Sequence, residues 1–250
     1  MFETLAFQNF PLTLATDLDG TFIGGSELDR QRLYGLIESS RKSIRLLFVT
    51  GRSLQSVQPL FRQFNLPVPD GLICDVGTSV HLPDGRWLCD SLQEEIAASW
   101  GDGHEKIASL LATIEGLEQQ TLTGPFRLSY FFSELATAEA AKAIVESFGF
   151  DGLISDNKYF DVLPRGINKG STLQRVINYL KIERHTVLVA GDTFNDLSML
   201  ISGLPAVVVG GSEPGLREAI GDRESVYHAK DHGAGGILEA LQKHPMLARQ

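Results

Sequence analysis

Cysteine is nearly absent: Cys74 and Cys89 are the only two in 250 residues. They form no C-x-x-C pair and have no histidine partner at zinc spacing. Two isolated thiols read as core residues of a chain in a reducing compartment, not as a disulfide framework. Positive charge is also scarce, with 22 basic against 31 acidic side chains and a formal charge of −9. That balance lacks the basic footprint of a nucleic-acid binder, and an anionic substrate would need a local positive cluster or a metal. No uncharged apolar run approaches the roughly 18 residues of a membrane span. Glu3, Pro11 and Asp17 interrupt the N-terminal stretch, so no signal peptide is expected and the expected location is cytoplasmic. Internal repeats and low-complexity tracts are missing too. What remains is ordinary globular composition, 43% apolar and 21% charged, and a chain long enough for one large domain or two modest ones.

Against that background one stretch stands out. The apolar run 12–18 ends in Asp17-Leu18-Asp19-Gly20-Thr21. In an extended chain residues i and i+2 point to the same side, so both carboxylates can converge at the strand's end, where they need a cation or a shared proton. An amphipathic helix follows over 26–39. A second strand, 44–49, ends at Thr50-Gly51-Arg52, and a third, 71–75, runs into Val76-Gly77-Thr78. Strands alternating with helices, each ending in polar or glycine residues, predict an α/β fold with a doubly wound parallel, Rossmann-like sheet.

From about residue 82 to 163 the rhythm changes. Helical patterns at 92–100, 104–116 and 136–149 alternate with strand-like pieces at 126–132 and 153–161. We read residues 84–164 as an inserted smaller α/β cap, with hinges near Asp84-Gly85 and Pro164-Arg165-Gly166, and residues 1–83 and 165–250 as the core. The rhythm resumes with a helix opened by Asn168-Lys169-Gly170-Ser171. The strand 186–190 then ends in Gly191-Asp192-Thr193-Phe194-Asn195-Asp196, and another, 205–209, in Gly210-Gly211. Helices near 214–220 and 234–243 and a short strand around 225–228 are expected to close the sheet.

Ligands of such sheets sit beyond the carboxyl ends of the strands, so these termini should meet in one crevice. As a set they suit phosphoryl transfer, in which a carboxylate can attack phosphorus only if the phosphate charge is neutralised. Asp17, the main-chain carbonyl of Asp19, Asp192 and, through water, Asp196 would hold Mg²⁺. Thr50, Gly51, Lys169 and Asn195 would hold the phosphate oxygens. Asp17 would be the nucleophile of an aspartyl-phosphate intermediate and Asp19 the acid and base. Candidate groups for the rest of the substrate are Arg52, Thr78, Lys158 and Asp161, with Ser129 and Tyr130. Phe131, Phe132, Phe148 and Phe150 are expected to pack the cap's own core.

The four segments, in order, resemble the motifs of the haloacid dehalogenase-like phosphohydrolase superfamily, in the branch whose α/β cap lies between motifs two and three (subclass IIB). Within it, Thr50-Gly51-Arg52-Ser53, Arg127-Leu128-Ser129-Tyr130 and the stretch from Tyr159 to Gly170 are most similar to the sucrose-phosphate phosphatase family. The resemblance implies a Mg²⁺-dependent phosphatase acting on sucrose 6-phosphate after a sugar-phosphate synthase. Mannosylfructose phosphate, glucosylglycerol phosphate, a phosphomutase reaction, or a non-catalytic synthase-binding subunit are the alternatives. Phe194 departs from the family, which more often has a small residue and Gly before the Asn-Asp pair.

Overall fold

A computed structural model describes residues 11–121 and 124–243, so the leader reading at Glu3 and the outermost core residues, 1–10 and 244–250, lie outside it. Eleven strands occur among the described residues: β1 (Leu12–Thr16), β2 (Ile44–Val49), β3 (Gly71–Cys74), β4 (Ser79–His81), β5 (Leu117–Gln119), β6 (Leu128–Phe132), β7 (Phe150–Ser155), β8 (Tyr159–Pro164), β9 (Val187–Gly191), β10 (Ala206–Gly210) and β11 (Val226–His232). The helices are α1 (Glu27–Ser39), α2 (Leu54–Phe64), α3 (Asp90–Trp100), α4 (Gly103–Leu111), α5 (Leu135–Ser147), α6 (Lys169–Tyr179), α7 (Leu197–Leu200), α8 (Leu216–Ile220) and α9 (Ala234–Lys243).

The large sheet has the order β11-β10-β9-β1-β2-β3-β4, parallel throughout except for β4. Its strands are nearly continuous apolar runs because both faces are covered. Ala15, Leu47 and Val49 feed the apolar cluster on one side, whereas Leu12, Leu14, Leu46 and Phe48 feed the other. The chain winds outward from β1 through β2 and β3 on one side and from β9 through β10 and β11 on the other. The carboxyl end of β1 is therefore the point where strand order reverses, the standard place for a ligand crevice. Cys74 and Cys89 are buried free thiols.

A separate antiparallel sheet, β5-β6-β8-β7, forms the cap. Its inner side packs on α4 and α5 through Leu128, Tyr130, Phe160, Val162, Ala141 and Val145. Trp100, unassigned by sequence, sits edge-on to Phe150, ring centroids 5.6 Å apart. Helix α3 joins the two parts, since Leu92 and Ile96 belong to the core-side cluster and Trp100 to the cap's.

Several local readings need correction. The strand expected over 153–161 is a hairpin: Asp156 and Asn157 take left-handed backbone (φ +53 and +45) and reverse the chain between β7 and β8. The helix expected over 104–116 stops at Leu111, and Gly116 (φ +86) turns the chain into the short strand β5. Strand β4 went unread because it follows a turn at Asp75, Val76 and Gly77 in which all three residues have positive φ. Strand β11 runs on to His232, and Gly235 and Gly236 lie inside α9, where Asp231 and Val209 leave no room for a side chain at 236. Phe148, 47% exposed, and Phe131, which shares the Ser129 face of β6, do not belong to the cap core.

Candidate active site

Asp17 directly follows β1, and its N–H donates to the Ala190 carbonyl of β9 at 2.9 Å, which places the end of one motif beside the beginning of another. The chain then makes a tight turn over Leu18–Phe22. Gly20 is required there: its φ is +74, and a Cβ would lie 2.0 Å from an Asp192 carboxylate oxygen. Thr21, in the same turn, donates its hydroxyl to Asp192 Oδ1 at 2.6 Å.

Lys169 stands at the first turn of α6, fully buried. Its Nζ donates to Asp17 Oδ1 at 2.6 Å and to Asp196 Oδ1 at 2.7 Å. Asp196 in turn accepts the N–H groups of Asp192 (2.9 Å) and Thr193 (3.0 Å) through Oδ2, which fixes the loop after β9. Helix α6 is itself held by an Asn168–Ser171 capping box and by Thr172, whose hydroxyl donates to the Gly77 carbonyl at 2.7 Å.

Asp17, Asp192 and Asp196 each offer an oxygen within 4.8 Å of the other two. One ammonium cannot neutralise three carboxylates. Burial pushes Asp17 well above the ordinary carboxylate range, Lys169 pulls it down, and Asp196 and Asp192 add to the rise. Burial, then Asp196, also raise Asp192 to about 7, against the Thr21 bond and Lys169. For Lys169, burial works against the ammonium, yet the Asp17 and Asp196 carboxylates outweigh it and raise its pKa. An all-oxygen cluster with this surplus of negative charge fits a hard divalent cation.

A cavity of about 420 Å³ opens above these groups. Asp17, Asp19, Gly51, Arg52, Thr193 and Asn195 line it from the core; Arg127, Asp156, Tyr159 and Asp161 from the cap. Asp19 is held by Arg52 through two bonds, 2.6 Å to Nε and 2.7 Å to Nη2. Thr50 is buried, and its Oγ1 accepts the Arg52 N–H at 3.1 Å, leaving the hydroxyl proton for another acceptor. Asn195 carries a buried Oδ1 without a hydrogen-bond partner.

The cap candidates divide by strand register. Ser129 pairs with Asp161 across β6 and β8, and the Ser129 hydroxyl donates to the Asp161 carboxylate. Adjacent residues of a strand face opposite ways, so Tyr130 points into the cap core with its hydroxyl buried and unpartnered. Thr78 is fully buried and donates to the Asp75 carbonyl at 3.0 Å. Lys158 is exposed at the hairpin, over the Phe131 and Tyr159 rings. Thr78, Tyr130 and Lys158 thus do not line the cavity, and Ser129, 1% exposed, reaches it only through Asp161. Arg127, Tyr159 and Asp156 do, and the sequence reading passed them over as ligands. Alternation counted back from Asp161 and Ser129 places Tyr159 and Arg127 on their face.

A doubly wound sheet with an inserted cap and this four-part site define a phosphohydrolase of the haloacid dehalogenase-like class. The chain belongs within that class to the sucrose-6F-phosphate phosphohydrolase family, whose model matches residues 10–244. It is 45% identical over 240 residues to a glucosylglycerol-phosphate synthase of Pseudomonas anguilliseptica, covering 96% of this chain but only 31% of that protein. It is 28% identical to a mannosylfructose-phosphate phosphatase of Agrobacterium fabrum, covering 92% and 95% of the two chains. The X-ray structure of the sucrose-phosphatase from Synechocystis sp. PCC6803 in complex with sucrose and phosphate superposes with a TM-score of 0.87 at 25% identity, covering 94% of this chain and 98% of that one. No helix among the described residues is long and apolar enough to cross a membrane.

Proposed function

We propose that the chain is a Mg²⁺-dependent phosphatase of a glycosyl phosphate, working through an aspartyl-phosphate intermediate on Asp17. The observation that carries this reading is Lys169 Nζ bridging Asp17 and Asp196 beside Asp192, at the floor of a cavity roofed by the cap. Lys169 occupies Asp17 Oδ1, so Oδ2 is the nucleophilic oxygen. Asp17 attacks phosphorus, the bond to the sugar oxygen breaks, and Asp19 gives that oxygen its proton. Asp19 then takes a proton from the water that displaces Asp17 from phosphorus. Arg52, bonded to both Asp19 oxygens, fixes the orientation of that carboxyl group. Asp17, Asp192, the Asp19 carbonyl and, through water, Asp196 would hold Mg²⁺, which would supply neutralisation of phosphate charge. Thr50, the Gly51 N–H, Lys169 and Asn195 would hold the phosphate oxygens, and Asp161, held in place by Ser129, would meet sugar hydroxyls.

Among substrates, glucosylglycerol phosphate has the strongest support. The relative at 45% identity is named for its synthesis, and a synthase that contains this fold can pass its phosphorylated product directly to it. Sucrose 6-phosphate is the second reading, favoured by the superposition on the sucrose-phosphatase. A phosphate-release panel of glucosylglycerol phosphate, sucrose 6-phosphate, mannosylfructose phosphate and trehalose 6-phosphate tests this. The expected order puts glucosylglycerol phosphate at least about tenfold ahead in kcat/KM, a difference of about 1.4 kcal/mol. Release from none of the four overturns the glycosyl-phosphate assignment.

The cluster also predicts how a cation stabilises the fold. With its pKa raised from 3.8 to about 7, Asp192 binds a proton in the folded state that the unfolded chain releases. Stability of the metal-free protein therefore falls as pH rises through that window. A divalent cation removes the penalty, so the rise in Tm on adding Mg²⁺ in place of EDTA should be larger at pH 8 than at pH 5.5. Equal rises at both pH values contradict the assignment of these carboxylates to the metal.

A further inference from the structure

We propose that Arg127 is a specificity-determining residue of this site, a guanidinium set between Asp75 of the core and Asp161 of the cap to take hydroxyl groups of the substrate's polyol part. The inference rests on the glycosyl-phosphate reading above and adds the group that selects among such substrates.

Arg127 immediately precedes β6 and is 5% exposed, yet it lines the catalytic cavity. Its Nη1 donates to Asp161 Oδ1 at 3.1 Å. Its Nε lies 3.4 Å from Asp75 Oδ1 without hydrogen-bond geometry, and both of those atoms are buried and otherwise unpartnered. The guanidinium is flanked by two carboxyl groups, Asp75 and Asp161, a setting that suits hydroxyls better than a second anionic group. Asp161 Oδ1 is already taken by Ser129 and Arg127. The guanidinium keeps donors to spare, and Asp161 keeps its second oxygen. A sugar hydroxyl is both donor and acceptor, so one such group can accept from Arg127 while donating to Asp161. A planar fork of donors suits neighbouring hydroxyls better than a point charge does.

Asp75 gives the arrangement its reach into the core. It and the next residue, Val76, both take left-handed backbone (φ +55 and +58), a conformation that a β-branched side chain rarely adopts and that marks functional sites. The N–H of Asp75 donates to the Arg52 carbonyl at 2.9 Å and that of Val76 to the Thr50 carbonyl at 3.1 Å. The carboxylate that places Arg127 is thus tied directly to the loop beside the phosphate. Asp75 is a positioning residue; Arg127 touches the substrate.

The test measures steady-state kinetics of wild type, Arg127→Lys, Arg127→Gln and Asp75→Asn on glucosylglycerol phosphate, sucrose 6-phosphate and p-nitrophenyl phosphate. Asn keeps the left-handed backbone at 75, and Lys keeps the charge between the two carboxylates should the Gln variant fail to fold. For the preferred glycosyl phosphate, each Arg127 variant is expected to raise KM at least about tenfold with kcat changed less than about threefold. Asp75→Asn should move KM the same way by a smaller factor, and kcat/KM on p-nitrophenyl phosphate should stay within about threefold. Inhibition by the phosphate-free glycoside should weaken in parallel. Equal losses on sugar and aryl phosphates, or no loss on either, overturn the proposal. A wild type that cleaves the aryl phosphate but neither glycosyl phosphate fails the glycosyl-phosphate reading itself, and this inference with it.

Discussion

Asp17→Asn is expected to release phosphate at least about 10⁴-fold more slowly than wild type on every substrate, with the fold intact. The substitution is nearly isosteric, and an amide oxygen can still accept from Lys169 Nζ, so secondary structure and Tm should be preserved. What disappears is the nucleophile. Asn carries no anionic oxygen, and no other carboxylate reaches the same place, since Asp192 is engaged by Thr21 and Asp196 by Lys169 and two backbone N–H groups. Acid-quenched wild type should retain phosphate from a labelled substrate on Asp17, and the variant should retain none. Residual turnover within about tenfold of wild type would falsify the covalent mechanism.

Lys169→Met should harm the protein twice. The side chain is completely buried between Asp17 and Asp196, and its removal leaves three carboxylates facing one another without their cation. Breaking a buried ion pair from one side costs about 3–5 kcal/mol, because the remaining charge stays desolvated. Without Lys169 the carboxylates hold protons still more tightly, so the lost stability should be greatest at pH 8 and partly recovered at pH 5.5, when measured by urea denaturation in EDTA. Catalysis should fall by at least about 10³-fold, since the same ammonium orients Asp17 and faces the developing charge. A variant as stable as wild type at pH 8 contradicts the electrostatic account of the cluster.

The core site was legible because its residues stand at strand ends and helix starts, where spacing alone places them. Asp17 follows β1, Asp192 follows β9, and Lys169 opens α6; parallel winding does the rest. Chemistry was legible for the same reason, since carboxylates gathered around a lysine have few uses. The cap was harder to read. Its strands are short, Asp156-Asn157 resembles a polar stretch within one strand until its left-handed backbone is known, and the choice between Ser129 and Tyr130 turns on a register that only pairing with β8 fixes. Thr78 misled because it follows a strand end like the other candidates, whereas three positive φ values at 75–77 redirect the chain and bury its hydroxyl. Arg127 carried a signal in its place two residues before Ser129 on the same face.

The position of β1 has a consequence for synthesis. It is the centre of the finished sheet, but one of its two neighbours, β9, is encoded far downstream; Asp17 meets Lys169 across 152 residues. At about 5–20 residues per second a growing chain needs on the order of 10–30 s to cover that interval. Throughout it, a strand that ends fully buried is an open edge, able to pair with any other extended segment. The stretch that later carries Asp17 is first an exposure of the nascent protein to aggregation.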